Sequence, residues 1–380
     1  MKQQRKDSEA SAMPRRRNIV IAAAFPPPLH GLSKITESIA NDLDALASVR
    51  RYDVSSRLSA RSATHHLRRV LAVLRAAVGI LYNGFRDDPC LYIPADGGFG
   101  LLYTLVLVSL ARAAGHTIFV HHHSFSAIDR RSRLMSTLVG VAGAKTTHIF
   151  LCQDMQRRFS EHYLGDWQGL VSSNAAHLVA TQQPTPAAPE IRIGLLSNLT
   201  REKGLYLFLD VLRACHADRI PVHGVLAGPV ENDRDRAAVA AAQAELSERL
   251  TYVGPQYGAD KDRFFAGLDV FVFPTTYSNE AQPNAALEAM AAGASVIVYG
   301  RGCLEEDLSP DCGLVVPVSA DFVTAARAQI AAWHQDRLRL ATAKAAARRR
   351  FSELRSRAEE DYRSLLECLA GRAASGQSAA

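Results

Sequence analysis

Leu268-Asp-Val-Phe-Val-Phe-Pro274, Glu280-Ala-Gln-Pro-Asn-Ala-Ala-Leu-Glu288-Ala-Met-Ala-Ala-Gly293 and Ala294-Ser-Val-Ile-Val-Tyr299 are the runs that decide the fold. The first and third are short and apolar, as buried strands are, and the middle run starts polar and ends on a glycine stop. The order is therefore strand, loop, helix, strand. Glu280 falls in the loop and Glu288 inside the helix that the loop opens. Two carboxylates thus bracket a helix N-terminus, where free N–H groups and the helix dipole favour an anion such as a diphosphate.

The same alternation extends on both sides. Strands are expected at Ile191–Leu196, Val222–Ala227, Leu250–Val253, Val270–Pro274, Ser295–Tyr299 and Gly313–Val316, with helices between them at Leu205–Ala217, Asp233–Leu246 and Asp260–Ala266. Thr181-Gln-Gln-Pro-Thr-Pro-Ala-Ala-Pro189 reads as a linker. Before it, Asn18–Ala24 is strand-like and runs into Phe25-Pro-Pro-Pro28-Leu-His30-Gly31. Leu32, Ile35, Ile39, Leu43 and Leu46 then recur at helical spacing. Further strands are expected at Cys90–Ile93, Thr117–Val120, Thr146–Cys152 and Leu170–Ser173, with an apolar, buried helix at Phe99–Ala114. Thr64–Tyr82 reads as a basic amphipathic helix carrying Leu67, Val70, Leu71, Leu74, Val78 and Leu81. It either packs on the sheet or lies on a membrane surface. The last run, about 320 to 370, is helical throughout.

Glu280 to Glu288 resembles the Glu-x7-Glu signature of retaining GT-B glycosyltransferases of the family-4, "group 1" type. The likeness extends to Gly194-Leu-Leu-Ser-Asn-Leu-Thr-Arg-Glu-Lys-Gly204, to Val253-Gly254 and to Phe271-Val-Phe-Pro274. It implies an α/β chain of two Rossmann-like domains facing a cleft, with a C-terminal helix crossing back to the first. The expected boundaries are a tail at 1–16, an acceptor domain at 17–185 joined by about 350–370, a nucleotide-sugar domain at 190–345, and a tail at 371–380.

The resemblance also implies roles. Glu280 would contact the donor sugar and Glu288 the ribose hydroxyls. Lys203 would hold the donor diphosphate and offset charge on the leaving group. The family often carries an Arg where this chain has Asn198, and Arg201 is the candidate for the second charge. Pro283, Asn284 and Ala285 stand at the phosphate-binding junction, where Pro283 lacks an N–H and one backbone contact is missing or moved. Gly31 lets the first loop approach a ligand closely, with Ser33 and Lys34 in reach. The family places a His near His121-His122-His123. Strand alternation puts His121 and His123 on one side and His122 on the other. His123, then His122, are the candidates beside the transferred sugar.

No metal or other cofactor is expected, since no Asp-x-Asp pair stands at a strand end. The implied activity is transfer of a sugar from a nucleotide-sugar to a glycan or polyprenyl-diphosphate-linked acceptor in exopolysaccharide or lipopolysaccharide synthesis. The alternative from another class is a non-catalytic sugar-nucleotide-binding scaffold on the same fold. An NAD enzyme is disfavoured because Pro-Pro-Pro stands where a glycine fingerprint belongs.

At 380 residues the chain exceeds the usual single core, so two domains are the default. A hydrophobic share of 48% and a charged share of 22% place it among ordinary globular proteins. The net charge of +6 is clustered at Arg15–Arg17, Arg68-Arg69, Arg130-Arg131 and Arg348–Arg350. Such clusters are solvated surface or attract anionic lipids and phosphorylated substrates. No basic and aromatic interleaving points to nucleic acid. The six cysteines show no paired spacing and read as reduced thiols. The first fifteen residues lack a signal-peptide pattern. The apolar stretch Phe99–Leu110 is shorter than the ~20 residues of a membrane span. The expected place is the cytoplasm, with peripheral contact at the inner face of the plasma membrane as a further option.

Overall fold

The structure, a computed structural model, describes residues 16–27, 31–55, 63–179 and 189–372. Most of both expected tails, His30, and the linker from Thr181 to Ala188 lie outside the described residues. The first part runs β1 (Asn18–Ala23), α1 (Gly31–Asp44), β2 (Ser48–Asp53), α2 (Ala63–Asn83), β3 (Pro89–Ala95), α3 (Leu101–Ala113), β4 (Thr117–His122), α4 (Ser126–Asp129), α5 (Arg133–Ala142), β5 (Thr147–Phe150), α6 (Gln153–His162) and β6 (Gln168–Val171). The second runs β7 (Ile191–Leu196), α7 (Leu205–Ala217), β8 (Val222–Ala227), α8 (Asp233–Leu246), β9 (Leu250–Tyr252), α9 (Gly258–Ala266), β10 (Val270–Phe273), α10 (Asn284–Ala292), β11 (Ser295–Tyr299), α11 (Leu304–Asp307), β12 (Gly313–Val316), α12 (Phe322–Gln335) and α13 (Arg337–Leu369).

Each part builds one six-stranded sheet, ordered β2-β1-β3-β4-β5-β6 and β12-β11-β10-β7-β8-β9. All pairings are parallel. A parallel sheet is covered on both faces, so its strands are apolar throughout rather than alternating. Val270–Phe273 and Ser295–Tyr299 are buried at every position for that reason. β2 was not expected from its sequence, Ser-Val-Arg-Arg-Tyr-Asp. It is an edge strand, and its side chains are exposed or half-exposed. In both sheets the strand order reverses between the first strand and its inner neighbour, β1 and β3 or β7 and β10. Open α/β sheets bind ligands beyond the carboxyl ends of strands at such a point.

The C-terminal helical run breaks once, where Asp336 caps α13 by accepting from the N–H groups of Leu338 and Arg339. Phe351 and Ala358 of α13 belong to the second core, whereas Leu365 and Leu369 belong to the first. Arg17 donates to the carbonyls of Cys368 and Leu369 at 3.1 and 3.3 Å, closing the helix end onto the first sheet. Tyr362 donates to Asp42 of α1 at 2.6 Å.

Two surface expectations change. α2 packs inward through Val73, Ala76 and Ile80, not through the stripe read from the sequence. That stripe faces out: Leu67, Leu74 and Val78 are 61%, 55% and 68% exposed. The α3 segment, expected to be buried, leaves Phe99, Leu102 and Val106 exposed as well.

The thiol reading is corrected for two cysteines. Cys152 precedes α6, Cys303 follows β11, and they form a disulfide with Cα atoms 5.9 Å apart. Cys90, Cys215, Cys312 and Cys368 remain thiols. Nothing in the spacing marks a partner 151 residues away. Beside the bridge, Glu306 accepts from the N–H groups of Gln153 and Asp154 at 3.2 and 2.7 Å, capping α6 from the other domain. Two of six cysteines should therefore resist alkylation in protein unfolded without reductant. Cys303→Ser should cost about 2–4 kcal/mol of stability, seen as a lower thermal midpoint. Six reactive thiols, or equal midpoints, would contradict the bridge.

Candidate active site

Lys203 and Glu280 come from the two strands at the switch point of the second sheet. β7 leads into the loop 197–204 and β10 into the loop 274–283. Gly204 turns the first loop into α7 with φ of 93°, and a Cβ there would lie 2.6 Å from Pro274 Cγ. Only glycine takes both that conformation and that contact. Thr276 N–H donates to the Glu202 carbonyl at 2.8 Å, holding the loops together. Lys203 Nζ then lies 2.5 Å from Glu280 Oε2 and 4.3 Å from the centre of the Tyr277 ring. Thr275 Oγ1 donates to the same carboxylate oxygen at 3.4 Å. Glu280 is mostly buried, its side chain 12% exposed, so the pair stands in a poorly solvated place.

Glu288 lies one turn further along α10 and pairs with Lys261 of α9. Burial raises its pKa, while Lys261 and Lys34 of the first domain pull it back. The α10 N-terminus begins after Pro283 and has no side-chain cap. The N–H groups of Asn284 and Ala285 thus remain for a ligand. Asn284 Oδ1 is buried and makes no hydrogen bond among the described residues. Gly31 comes close to this helix end from the first domain: a Cβ on it would lie 3.0 Å from Asn284 Nδ2. Lys203 is thereby brought to Glu280, Gly31 to Asn284, and Lys34 to the surroundings of Glu288. Arg201 is not among them, because it stacks on Tyr206 at 4.2 Å and is exposed. Asn198 is also exposed.

The histidines divide as alternation requires. His121 and His123 lie together with ring centres 3.9 Å apart. His121 Nδ1 meets the Tyr92 hydroxyl at 2.7 Å. His123 Nε2 is buried with no partner among the described residues. Burial, and then His177, push His123 down to about 3. Its imidazole is neutral near pH 7, fit to share a hydrogen bond with a sugar hydroxyl and unfit as an acid. His122 points to the other face. Its Nε2 meets His148 Nδ1 at 2.8 Å and its ring stacks on Phe150, so it does not join the Glu280 group.

The reading from sequence missed the partners of these groups. Lys261, Tyr277 and Thr275 carry no local pattern that would single them out. Asn279 and Gln282 flank Glu280 and tie its loop to the first domain. Ser124 Oγ meets Asn279 Oδ1 at 2.9 Å, and Phe125 N–H donates to the Asn279 carbonyl at 3.3 Å. Asn174 N–H donates to Gln282 Oε1 at 2.8 Å, and Gln282 Nε2 donates to both Asp307 oxygens at 3.1 and 2.9 Å. Among the described residues, no three His, Cys, Asp or Glu are grouped so as to hold a metal ion.

Residues 190–333 match the family described as glycosyl transferases group 1. The second domain belongs to that family. The protein is a glycosyltransferase, and its fold is GT-B. Anabaena Alr3699/HepE, solved in complex with UDP-glucose, is similar over 92% of this chain and 99% of its own, with 15% identity and a TM-score of 0.68. Sucrose-phosphate synthase from Thermosynechococcus elongatus is similar over 93% and 100%, with 16% identity and a TM-score of 0.65. A glycosyltransferase from Rickettsia africae covers 93% and 98%, at 14% identity and a TM-score of 0.65. No curated protein sequence matches the chain.

Asp307 gives this glycosyltransferase a pH dependence. Burial raises its carboxyl to about 7, partly opposed by Gln282. In an unfolded chain the group titrates near 4. The folded state holds the proton more tightly, so this contribution to stability is complete below about pH 4 and lost as pH rises towards 7. Asp307→Asn should flatten that decline, leaving the variant with the higher melting temperature at pH 8. Parallel melting curves for the two proteins across this range would rule the account out.

Proposed function

We propose that this glycosyltransferase moves a sugar from a nucleotide-sugar to a glycan or lipid-linked acceptor with retention of anomeric configuration. The observation that carries the proposal is the Lys203–Glu280 pair at the switch point, in the loops that precede α7 and the uncapped α10. In this reading the donor diphosphate lies between Lys203 Nζ and the N–H groups of Asn284 and Ala285. The ribose hydroxyls meet Glu288, and the sugar hydroxyls meet Glu280. Lys203 can serve the carboxylate and the diphosphate at once, and charge built up on the leaving oxygen strengthens the second contact. The C–O bond from the anomeric carbon to the leaving phosphate breaks, and the acceptor oxygen forms the new one on the same face. The acceptor proton passes to the departing phosphate oxygen, so no strong protein base is required. Neutral His123 orients a hydroxyl beside that carbon. No metal has a role in this scheme.

HepE is solved with UDP-glucose, so UDP-sugars are the first donors to try. Purified protein should slowly release sugar from one nucleotide-sugar. Glu280→Ala and Lys203→Ala should each reduce the rate by at least about a hundredfold, the usual scale for a transition-state charge contact. Full activity in both variants would refute the assignment of the site.

The acceptor is proposed to reach the cleft from an anionic membrane face, in the synthesis of a cell-surface polysaccharide. No helix among the described residues is long and apolar enough to cross a membrane. The support is instead the outward stripe of α2, from Leu67 to Leu81, with Arg68 and Arg75 exposed along one edge. Apolar side chains entering the acyl boundary beside cationic ones suit anionic lipid. Leu74→Asp, and Arg68→Glu with Arg75→Glu, should each weaken sedimentation with vesicles containing phosphatidylserine. Sedimentation equal to that of the parent in both would remove this part of the proposal.

A further inference from the structure

β3 and β4 end side by side at the cleft, and a cavity of about 340 Å³ opens between the loops that follow them. Gly97, Ser124, Ser126, Arg130, Arg131 and Ser132 line it. Three hydroxyls and two guanidinium groups on one small cavity are a donor set for an anion. Neither arginine has a carboxylate partner among the described residues. The adjacent Asp129 faces Arg158 instead, at 3.6 Å. Asp96 also reaches the cavity, but Arg69 neutralises it at 2.7 Å.

The cavity adjoins the reacting centre. A Cβ on Gly97 would lie 3.3 Å from Asn279 Oδ1, and Ser124 bonds that same oxygen. The residue before Glu280 thus packs against two residues of the wall. Lys203 lies on the second domain, whereas Arg130 and Arg131 lie on the first, so the two cationic places belong to different domains.

We propose that this cavity is a subsite for a phosphoryl or diphosphoryl group of the acceptor, held by Arg130 and Arg131. The inference rests on the acceptor side of the function proposed above. Phe99, in the turn before α3, is 86% exposed and continues into the exposed Leu102 and Val106 of that helix. A phosphate linked to a lipid would find an apolar surface next to its charge, whereas a free sugar phosphate would not use it.

The test is a calorimetric titration of Lys203→Ala protein, whose donor-side cation is gone, with inorganic pyrophosphate and with farnesyl diphosphate. Adding Arg130→Gln and Arg131→Gln should weaken both ligands at least about tenfold, the scale of lost charge-assisted hydrogen bonds. Farnesyl diphosphate should bind more tightly than pyrophosphate. No binding, or binding unchanged by the arginine substitutions, overturns the subsite. Equal affinity for the two ligands overturns the lipid source. Nucleotide-sugar hydrolysis by the Arg130→Gln, Arg131→Gln protein with Lys203 intact should stay at the parental rate. A parent that hydrolyses no donor yet binds pyrophosphate through these arginines would sink the donor assignment alone.

Discussion

The loop Asn279–Gln282 belongs to one sheet and is built into the other. Ala281 packs in the first core together with Cys303, although both come from the second domain. Asn279 and Gln282 hold first-domain partners on either side. Glu280, between them, turns the opposite way to Lys203. Each residue of the loop is fixed by a different neighbour, so its carboxylate cannot shift without breaking a buried contact. Buried polar networks of this kind are costly when half satisfied and rigid when complete. Placing Glu280 within them gives the site its geometry and joins that geometry to the seam between the domains.

The second domain was legible because its chemistry is local. A buried parallel strand needs an unbroken apolar run, and a ligand-binding loop needs polar residues and a glycine directly after it. Val270–Phe273, Glu280, Lys203 and Gly204 show all of this within short windows. The first domain yields less. β2 is an edge strand whose Arg50 and Arg51 mask its period. α2 has apolar residues on two opposite faces, and sequence spacing alone does not tell which face meets the sheet. Partners supplied by distant segments were out of reach for a different reason. Lys261 beside Glu288, Asn174 beside Gln282 and Cys152 beside Cys303 depend on chain closure, which no local pattern encodes.

Burial sets the character of the histidine group. His121, His123 and His177 have depressed pKa values for the same first cause, loss of solvent; neighbouring imidazoles add to it at His121 and His123, and Asp42 opposes it at His177. Three cations in such a space would repel strongly, so the group is stable only when neutral. Positive charge at the cleft is left to Lys203, Lys261 and the arginines. The first domain thus holds buried, neutral imidazoles around the end of β4 and the exposed cations Arg130 and Arg131 shortly after it.

The two apolar faces of α2 connect these features. Its inner face, Val73, Ala76 and Ile80, packs in the core of the first sheet. Near its start, Arg69 bonds Asp96 at the mouth of the β3 loop, while Arg68 faces solvent. One helix therefore carries the exposed apolar stripe and also braces the loop that follows β3. A surface that took up the stripe would bear on Asp96 and Gly97 through a single rigid element, and through Gly97 on Asn279. Docking and catalysis would then share one structural path rather than two independent ones.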